Sequence, residues 1–444
     1  MIEAFTTVQE GFLWMESLSN LEKSDRDKKR AYRLERMVEL CRLFEDPQRA
    51  CPVVHLAGSK GKGSTAAFLS FILAEKGEKT GLYTSPHLAD YRERMQIIEK
   101  DGGARFAQEE ILLAAMNRIR LKLEEAELSG GFPTTFELLT LLAFLVFREE
   151  ECSFIILETG LGGRLDATNV CLPRLSIITP IEKEHTQFLG DTLEEIAGEK
   201  AGIIKENIPV LVSPQKEEVF TVLSKRAEEK KAPFYRVDDF IEDIRVTYSN
   251  RGTMEIRFSW RNNNTFLPEA ECSLVGSVQA ENAALAITAA SLLFPQLSQN
   301  SIGRGLKRAA LPGRSQILST APLIMLDGAH TPRSAKAARE AFLALSKSRS
   351  PRVLIFGCAL DKDARGMAAL LSDSFDRIII SRPGTFKESD PAGIARIFET
   401  FGPCELIEDS QAALESALKD IQKVGSLLVT GSFYLAGEIY HGLK

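Results

Sequence analysis

The chain has 444 residues, 44% hydrophobic and 26% charged, with 55 Lys and Arg against 61 Asp and Glu and a net charge of −6. This is ordinary for a globular protein with ample chain for a large core, and the acidic balance excludes a basic field that would recruit nucleic acid. The seven scattered cysteines are odd in number and form no C-x-x-C pair, so they indicate neither a disulfide framework nor a zinc knuckle and favour a reducing compartment.

At ~150 residues per domain the length suggests about three domains, and two larger ones fit as well. Met1–Phe5 shows no basic or apolar leader region. The longest apolar run, Leu138 to Phe147, falls short of the ~20 residues of a membrane span. A cytoplasmic protein without a membrane partner is expected.

In chain order, residues 8–45 read as two helices around a charged loop, Glu22–Arg30. Val53–Ala57 reads as a buried strand. Gly58-Ser59-Lys60-Gly61-Lys62-Gly63-Ser64-Thr65 follows, and Ala66–Leu73 has the pattern of a helix. Strand, glycine-rich turn and helix together make a phosphate loop, with Lys62 placed to reach the β- and γ-phosphates. The turn departs from G-x-x-x-x-G-K-[ST], because Leu56 stands at the first glycine and Gly63 at the metal-binding hydroxyl. It is expected to be exposed.

Thr80–Ser85 reads as a second strand, with Ser85 at its C-terminal edge, where ligands bind in open α/β sheets. Pro86 and His87 follow, then Tyr91 to Arg94. Phe132–Glu137 opens an apolar helix to about Phe147, and either Thr134 or Thr135 suits its N-cap. Ser153–Glu158 reads as a buried strand ending in a carboxylate, the position that holds Mg²⁺ behind a phosphate loop. A further strand, Leu175–Thr179, leads to Glu184-His185, and the next helix carries Glu199 and Lys200. Three of the five histidines, His87, His185 and His330, fall in strand-end loops.

Residues 243–275 alternate with period two and read as antiparallel hairpins, with polar turns at Ser249–Gly252 and Arg261–Asn264. Helices at about Val278–Phe294 and Ser301–Ala310 lead to a linker, Leu311–Arg314. Strands at Leu323–Leu326, Arg352–Phe356, Arg377–Ile380 and Leu427–Val429 then alternate with helical patterns as a second α/β unit.

Together these stretches resemble the folylpolyglutamate synthase/dihydrofolate synthase family, a branch of the Mur-ligase-like ATP-dependent amide ligases. The resemblance runs from about Leu34-Glu35-Arg36 to Gly431-Ser432. It rests on Gly58–Thr65, Ser85–Leu88, Thr134–Glu137, Glu281–Ala284, Pro312–Arg314, Asp327–His330 and above all Gly160–Asn169. It implies an α/β fold: an N-terminal P-loop ATPase domain (1–311) with a mainly parallel sheet and a small antiparallel region, and a smaller Rossmann-like domain (312–444). It implies ATP, L-glutamate and a folate or dihydropteroate as substrates, joined through an acyl phosphate by a monomer with two Mg²⁺ and K⁺ as a further candidate cation.

Carried over residue by residue, the resemblance puts ATP on Gly58, Gly61, Lys62, Gly63, Ser64, Thr65, Asn282, Arg314 and Asp327. It puts metal on Ser85, Glu158, His185 and a carbamylated Lys200, and catalysis on Lys62, His185 and Lys200. The folate or pteroate falls on Thr134, Thr135, Phe136, Glu137, Leu165, Asp166 and Ala167, and the glutamate side on His330. Without carbamylation, Lys200 reads as an exposed helix lysine. Three departures stand out: Ser59-Lys60 for Thr-Asn, Glu184 for Asp before His185, and Thr331 for Asn after His330. A Mur-type cell-wall precursor ligase is the alternative, disfavoured by Gly160–Asn169 and by the absence of an extra N-terminal nucleotide-sugar domain. A P-loop kinase or binding module is disfavoured by the second α/β unit.

Overall fold

The computed structural model describes residues 3–18, 34–101, 103–129, 131–249, 253–260, 270–384 and 388–443. The charged loop and both polar turns of the hairpin region fall wholly or partly outside these. An eight-stranded sheet has the order β4-β3-β2-β5-β1-β6-β7-β8. Its strands are β1 (Val53–Ala57), β2 (Thr80–Tyr83), β3 (Met95–Glu99), β4 (Gly103–Phe106), β5 (Phe154–Glu158), β6 (Leu175–Ile178), β7 (Val210–Val212) and β8 (Phe234–Arg236). All pairings are parallel except β2–β3 and β3–β4. A small antiparallel sheet joins β9 (Ile241–Tyr248), β10 (Met254–Trp260) and β11 (Ala270–Cys272).

A six-stranded sheet in the order β12-β13-β17-β14-β15-β16 follows. It comprises β12 (Gln316–Thr320), β13 (Leu323–Leu326), β14 (Arg352–Phe356), β15 (Arg377–Ile380), β16 (Glu405–Leu406) and β17 (Ser426–Thr430). Only β12 runs antiparallel.

Parallel strands are covered on both faces, which is why β1 and β5 read as near-continuous apolar runs. On one face of the large sheet Val54 and Leu56 pack on the helix Lys62–Lys76, itself buried all round beneath the helix Ser277–Leu293. On the other face Val53 and Leu157 meet the apolar helix Thr135–Glu149. This layering aims the C-terminal ends of β1, β2, β5 and β6 at one region, and those of β13, β14 and β17 at the same region from the second sheet. The expected linker Leu311–Arg314 is packed there, with Leu311 buried and the Gly313 carbonyl accepting from the Gly328 N–H at 2.8 Å. No described helix is long and apolar enough to cross a membrane.

Glu150, at the end of the helix Thr135–Glu149, is a carboxylate with its side chain 1% exposed, held by Arg105 at 2.7 Å and Lys79 at 3.2 Å. Hydrogen bonds from Arg105, then the Gln108 N–H, hold its pKa down from 4.5 to about 2. A depressed carboxylate contributes stability that is complete above its unfolded pKa and is lost as pH falls through its folded one. The unfolding free energy from urea titrations is therefore expected to fall by about 2 kcal/mol from about pH 5 towards pH 2 on this account, after discounting for the partly solvated cations. Glu150→Gln should flatten that part of the profile, and an unchanged slope would remove Glu150 from the explanation.

Candidate active site

The strand ends enclose a cavity of about 870 Å³. Its floor is the turn between β1 and the helix Lys62–Lys76, whose N-terminus opens into it. Gly61 caps that helix at φ +84°, and a Cβ there would lie 2.2 Å from Asn282 Oδ1. The Lys62 ammonium donates to the Gly58 carbonyl at 3.0 Å and lies 4.0 Å from Glu158 Oε1. Glu158 closes β5, and its Oε2 accepts from the Ser85 N–H at 3.0 Å. Burial raises its pKa, against the Lys62 charge and the Ser85 N–H.

The turn is not the exposed loop expected. The helix begins at Lys62 rather than near Ala66, so Gly63, Ser64 and Thr65 form its buried first turn. The Lys62 side chain is 14% exposed.

The second wall comes from β6 and the helix Leu193–Lys200. Lys200 is buried rather than an exposed helix lysine, with Nζ 2.8 Å from the Gly58 carbonyl and 3.2 Å from Glu184 Oε1. Burial lowers its pKa to about 8, aided by Lys62 and Lys60 and opposed by Glu184. The glycine run fits this wall by close approach: a Cβ on Gly163 would lie 2.9 Å from the Glu199 carbonyl oxygen. His185 is neutral, its pKa lowered to about 4 by burial.

Two departures from the family pattern meet here, since Lys60 Nζ lies 3.8 Å from Glu184 Oε2. Ser59 exchanges hydrogen bonds of 3.0 Å with the backbone of Glu182 through its hydroxyl.

The third wall belongs to the six-stranded sheet. Asp327 follows β13, and its carboxylate accepts from Ser315 N–H at 2.7 Å and Ala329 N–H at 2.8 Å. Arg314 stacks over the Phe433 ring at 4.2 Å. His330 Nδ1 donates to the Gly328 carbonyl at 2.9 Å, leaving Nε2 as the acceptor, and burial lowers its pKa to about 4. Thr331, the third departure, is the N-cap of the helix Pro332–Leu345 and accepts from the Ser334 N–H. Asn would cap equally well there, so the change leaves the loop's geometry intact. Arg333 on the same helix pairs with Glu182 across the cavity.

The fourth wall holds the two stretches expected on the pterin side. Thr134 is the N-cap of the helix Thr135–Glu149, in a capping box with Glu137. Glu137 is gripped by Arg36, whose Nε lies 3.0 Å from both carboxylate oxygens. Both side chains are about 95% buried, at 5% and 6% exposure. Phe136 lies against Gly160. Leu165, Asp166 and Ala167 line the same wall, and Asp166 caps the short helix Ala167–Val170. Arg36→Met leaves the buried Glu137 carboxylate without its counter-charge, held only by the Thr134 capping bonds, and is expected to cost about 3 kcal/mol in a urea titration. Arg36→Met with Glu137→Gln should recover part of it, and full stability of the single variant would show the pair to be dispensable.

Two family models match the chain: the Mur ligase middle domain over residues 56–290 and the Mur ligase glutamate ligase domain over residues 313–433. The chain is 33% identical to the dihydrofolate synthase/folylpolyglutamate synthase of Bacillus subtilis, over 93% of this chain and 95% of that one. The folylpolyglutamate synthase of Mycobacterium tuberculosis, solved as a complex with ADP, superposes with a TM-score of 0.83 at 27% identity, covering 98% of this chain and 99% of that one. A folylpolyglutamate synthase complex with AMPPCP and folate superposes with a TM-score of 0.79 at 27% identity, covering 99% and 100%. The chain belongs to the folylpolyglutamate synthase/dihydrofolate synthase family. Its activity is that of an ATP-dependent glutamate ligase.

In this family member every expected site residue lines the one cavity except Gly58 and Thr65. Gly58 sits behind the wall and presents its carbonyl to Lys62 and Lys200, while Thr65 is fully buried in the helix. Arg94, Phe188, Arg333 and Phe433 also line the cavity, beyond the residues expected there. Arg94 had a signal, the charged run after Ser85-Pro86-His87. Phe433 had only its place directly after Gly431-Ser432.

Ser85 hydroxyl, Glu158 carboxylate and His185 imidazole all open onto this cavity beside the phosphate loop. Among the described residues no three His, Cys, Asp or Glu side chains could hold a metal unaided. Mg²⁺ does not need such a group, because it binds through one or two carboxylates, waters and substrate phosphates. The hard-oxygen donors here fit it.

Proposed function

We propose that this ligase adds L-glutamate to dihydropteroate, to reduced folates, or to both, through an acyl phosphate. The observation that carries the reading is convergence: a phosphate loop with Lys62 and Glu158, the Arg314–His330 wall and the Thr134–Asp166 wall all open onto one cavity. The helix N-terminus and Lys62 hold the nucleotide's phosphates, with Asn282, Arg314 and Asp327 on the nucleotide side. A carboxylate oxygen of the pteroyl substrate attacks the γ-phosphorus, ADP leaves, and an acyl phosphate forms. The L-glutamate amine attacks the acyl carbon and loses a proton, and the tetrahedral intermediate expels phosphate. His330, neutral with its Nε2 lone pair available, orients that amine. Bound Mg²⁺, for which Ser85, Glu158, His185 and carbamylated Lys200 would be the ligands, supplies neutralisation of phosphate charge.

The resemblance further suggests K⁺ as an additional cation and a monomeric enzyme. The seven free thiols suit a cytoplasmic setting.

Offered ATP, Mg²⁺ and labelled L-glutamate, the enzyme is expected to lengthen dihydropteroate or a tetrahydrofolate monoglutamate by one glutamate. Extension of a nucleotide-linked cell-wall peptide instead would replace this reading with the alternative one. Glu158→Gln and His185→Ala are each expected to raise the Mg²⁺ needed for half-maximal rate by about 10-fold or more. Unchanged metal titrations in both would remove this ligand set.

A further inference from the structure

The middle strand β1 carries an imidazole where a strand covered on both faces ordinarily carries Val, Ile or Leu. His55 is 0% exposed, and its Nε2 lies 2.8 Å from Thr168 Oγ1. Its Nδ1 has no protein partner. The Thr168 hydroxyl lies 2.5 Å from Asp166 Oδ1, and the Thr168 N–H donates to the same oxygen at 3.0 Å. Asp166 Oδ2 accepts from the Leu161 N–H at 2.8 Å. Asp166 itself lines the cavity.

The directions of these bonds follow from what each group can do. Burial pushes the Asp166 carboxyl up, but Oδ1 accepts from the Thr168 N–H and Oδ2 from the Leu161 N–H, bonds that favour the ionised, accept-only form, so the Thr168 proton points to Asp166. Thr168 Oγ1 must then accept, and His55 donates to it from Nε2–H. Nδ1 is left as a bare, buried acceptor, which costs stability that an aliphatic residue would not. Burial holds His55 uncharged, with its pKa lowered to about 3. The hydrogen bond that the imidazole makes is thus to the hydroxyl that orients Asp166.

We propose that His55 is a positioning residue for substrate recognition: through Thr168 it fixes the Asp166 carboxylate so that it faces the cavity as an acceptor for the N–H-bearing edge of the substrate's heterocycle. The inference rests on the folate reading of this cavity. ATP and L-glutamate, held on other walls, lie outside the reach of this chain of bonds.

The test is steady-state kinetics of full-length variants with each substrate varied in turn. His55→Leu fills the space without a donor, whereas His55→Gln places an amide N–H at similar reach. His55→Leu is expected to melt no lower than the parent and to raise KM for the pteroyl substrate about tenfold. KM for ATP and for L-glutamate should stay within about twofold, and His55→Gln should restore most of the loss. Thr168→Val should reproduce the same selective rise, and it decides the matter if His55→Leu does not fold. A folded variant with unchanged pteroyl KM, or with all three KM values raised together, overturns the proposal. Absence of pteroyl-dependent turnover in the parent enzyme would instead overturn the folate reading.

Discussion

Lys62→Ala is expected to lower kcat/KM for ATP by about 10²–10³-fold, the usual cost of removing one preorganised charge from a transferring phosphoryl group. The ammonium lies 4.0 Å from Glu158, and it springs from the helix N-terminus that opens into the cavity. Folding should survive. Among the described residues Lys62 hydrogen-bonds only the Gly58 carbonyl, and Glu158, already pushed up by burial, can take a proton when its counter-charge goes. Circular dichroism and melting should match the parent while turnover is lost. A purified, fully active Lys62→Ala enzyme would show that this turn does not bind phosphate.

The second large effect is at Lys200. Its amine is buried between the Gly58 carbonyl and Glu184. Carbamylation forms an N–C bond to CO₂ with loss of a proton, turning a cation into an oxygen donor suited to Mg²⁺. That reaction needs the neutral amine, and burial, more than the neighbouring lysines, favours it here. Lys200→Ala should lose activity on the order of 10²-fold, with formate or acetate restoring part by filling the vacated volume. Lys200→Arg should stay inactive, because guanidinium keeps its charge and is not carbamylated. Intact-protein mass under bicarbonate checks the adduct. An unmodified Lys200 together with an active Lys200→Arg enzyme would eliminate the carbamate.

What could be read in advance follows the range of the forces involved. β1, β13, β14 and β15 have the bounds expected of them, each built on an apolar run, with Arg352 and Arg377 opening the last two. Thr134 took one of the two N-cap positions its sequence allowed. By contrast β7, β8 and β16 are three residues or shorter and show no usable period. The antiparallel pair β3 and β4 did carry a local signal, the turn sequence Asp101-Gly102 between Met95–Glu99 and Gly103–Phe106, but β4 is short, opens on glycine and shows little apolar alternation. The early start of the helix at Lys62 depends on Gly61 adopting a left-handed φ beside Asn282, a contact across more than 200 residues.

The site shows the same division. Residues at strand ends were legible because topology alone sends them to one place. Arg36 on Glu137, His55 on Thr168 and Lys60 beside Glu184 were not, since each pair is a contact between distant segments with no local pattern. Two departures that looked independent in the sequence, Lys60 and Glu184, are neighbours of opposite charge in the fold.

The acyl phosphate is the centre of this account, and isotope transfer tests it most directly. With the reacting carboxylate of the pteroyl substrate labelled with ¹⁸O, one label must leave with phosphate, because the bond broken in collapse of the tetrahedral intermediate is the one between the acyl carbon and the bridging oxygen. The account predicts inorganic phosphate carrying one ¹⁸O for each amide formed, released only when ATP, L-glutamate and the pteroyl substrate are all present. Amide formation with unlabelled phosphate, or phosphate release independent of the pteroyl substrate, would contradict it.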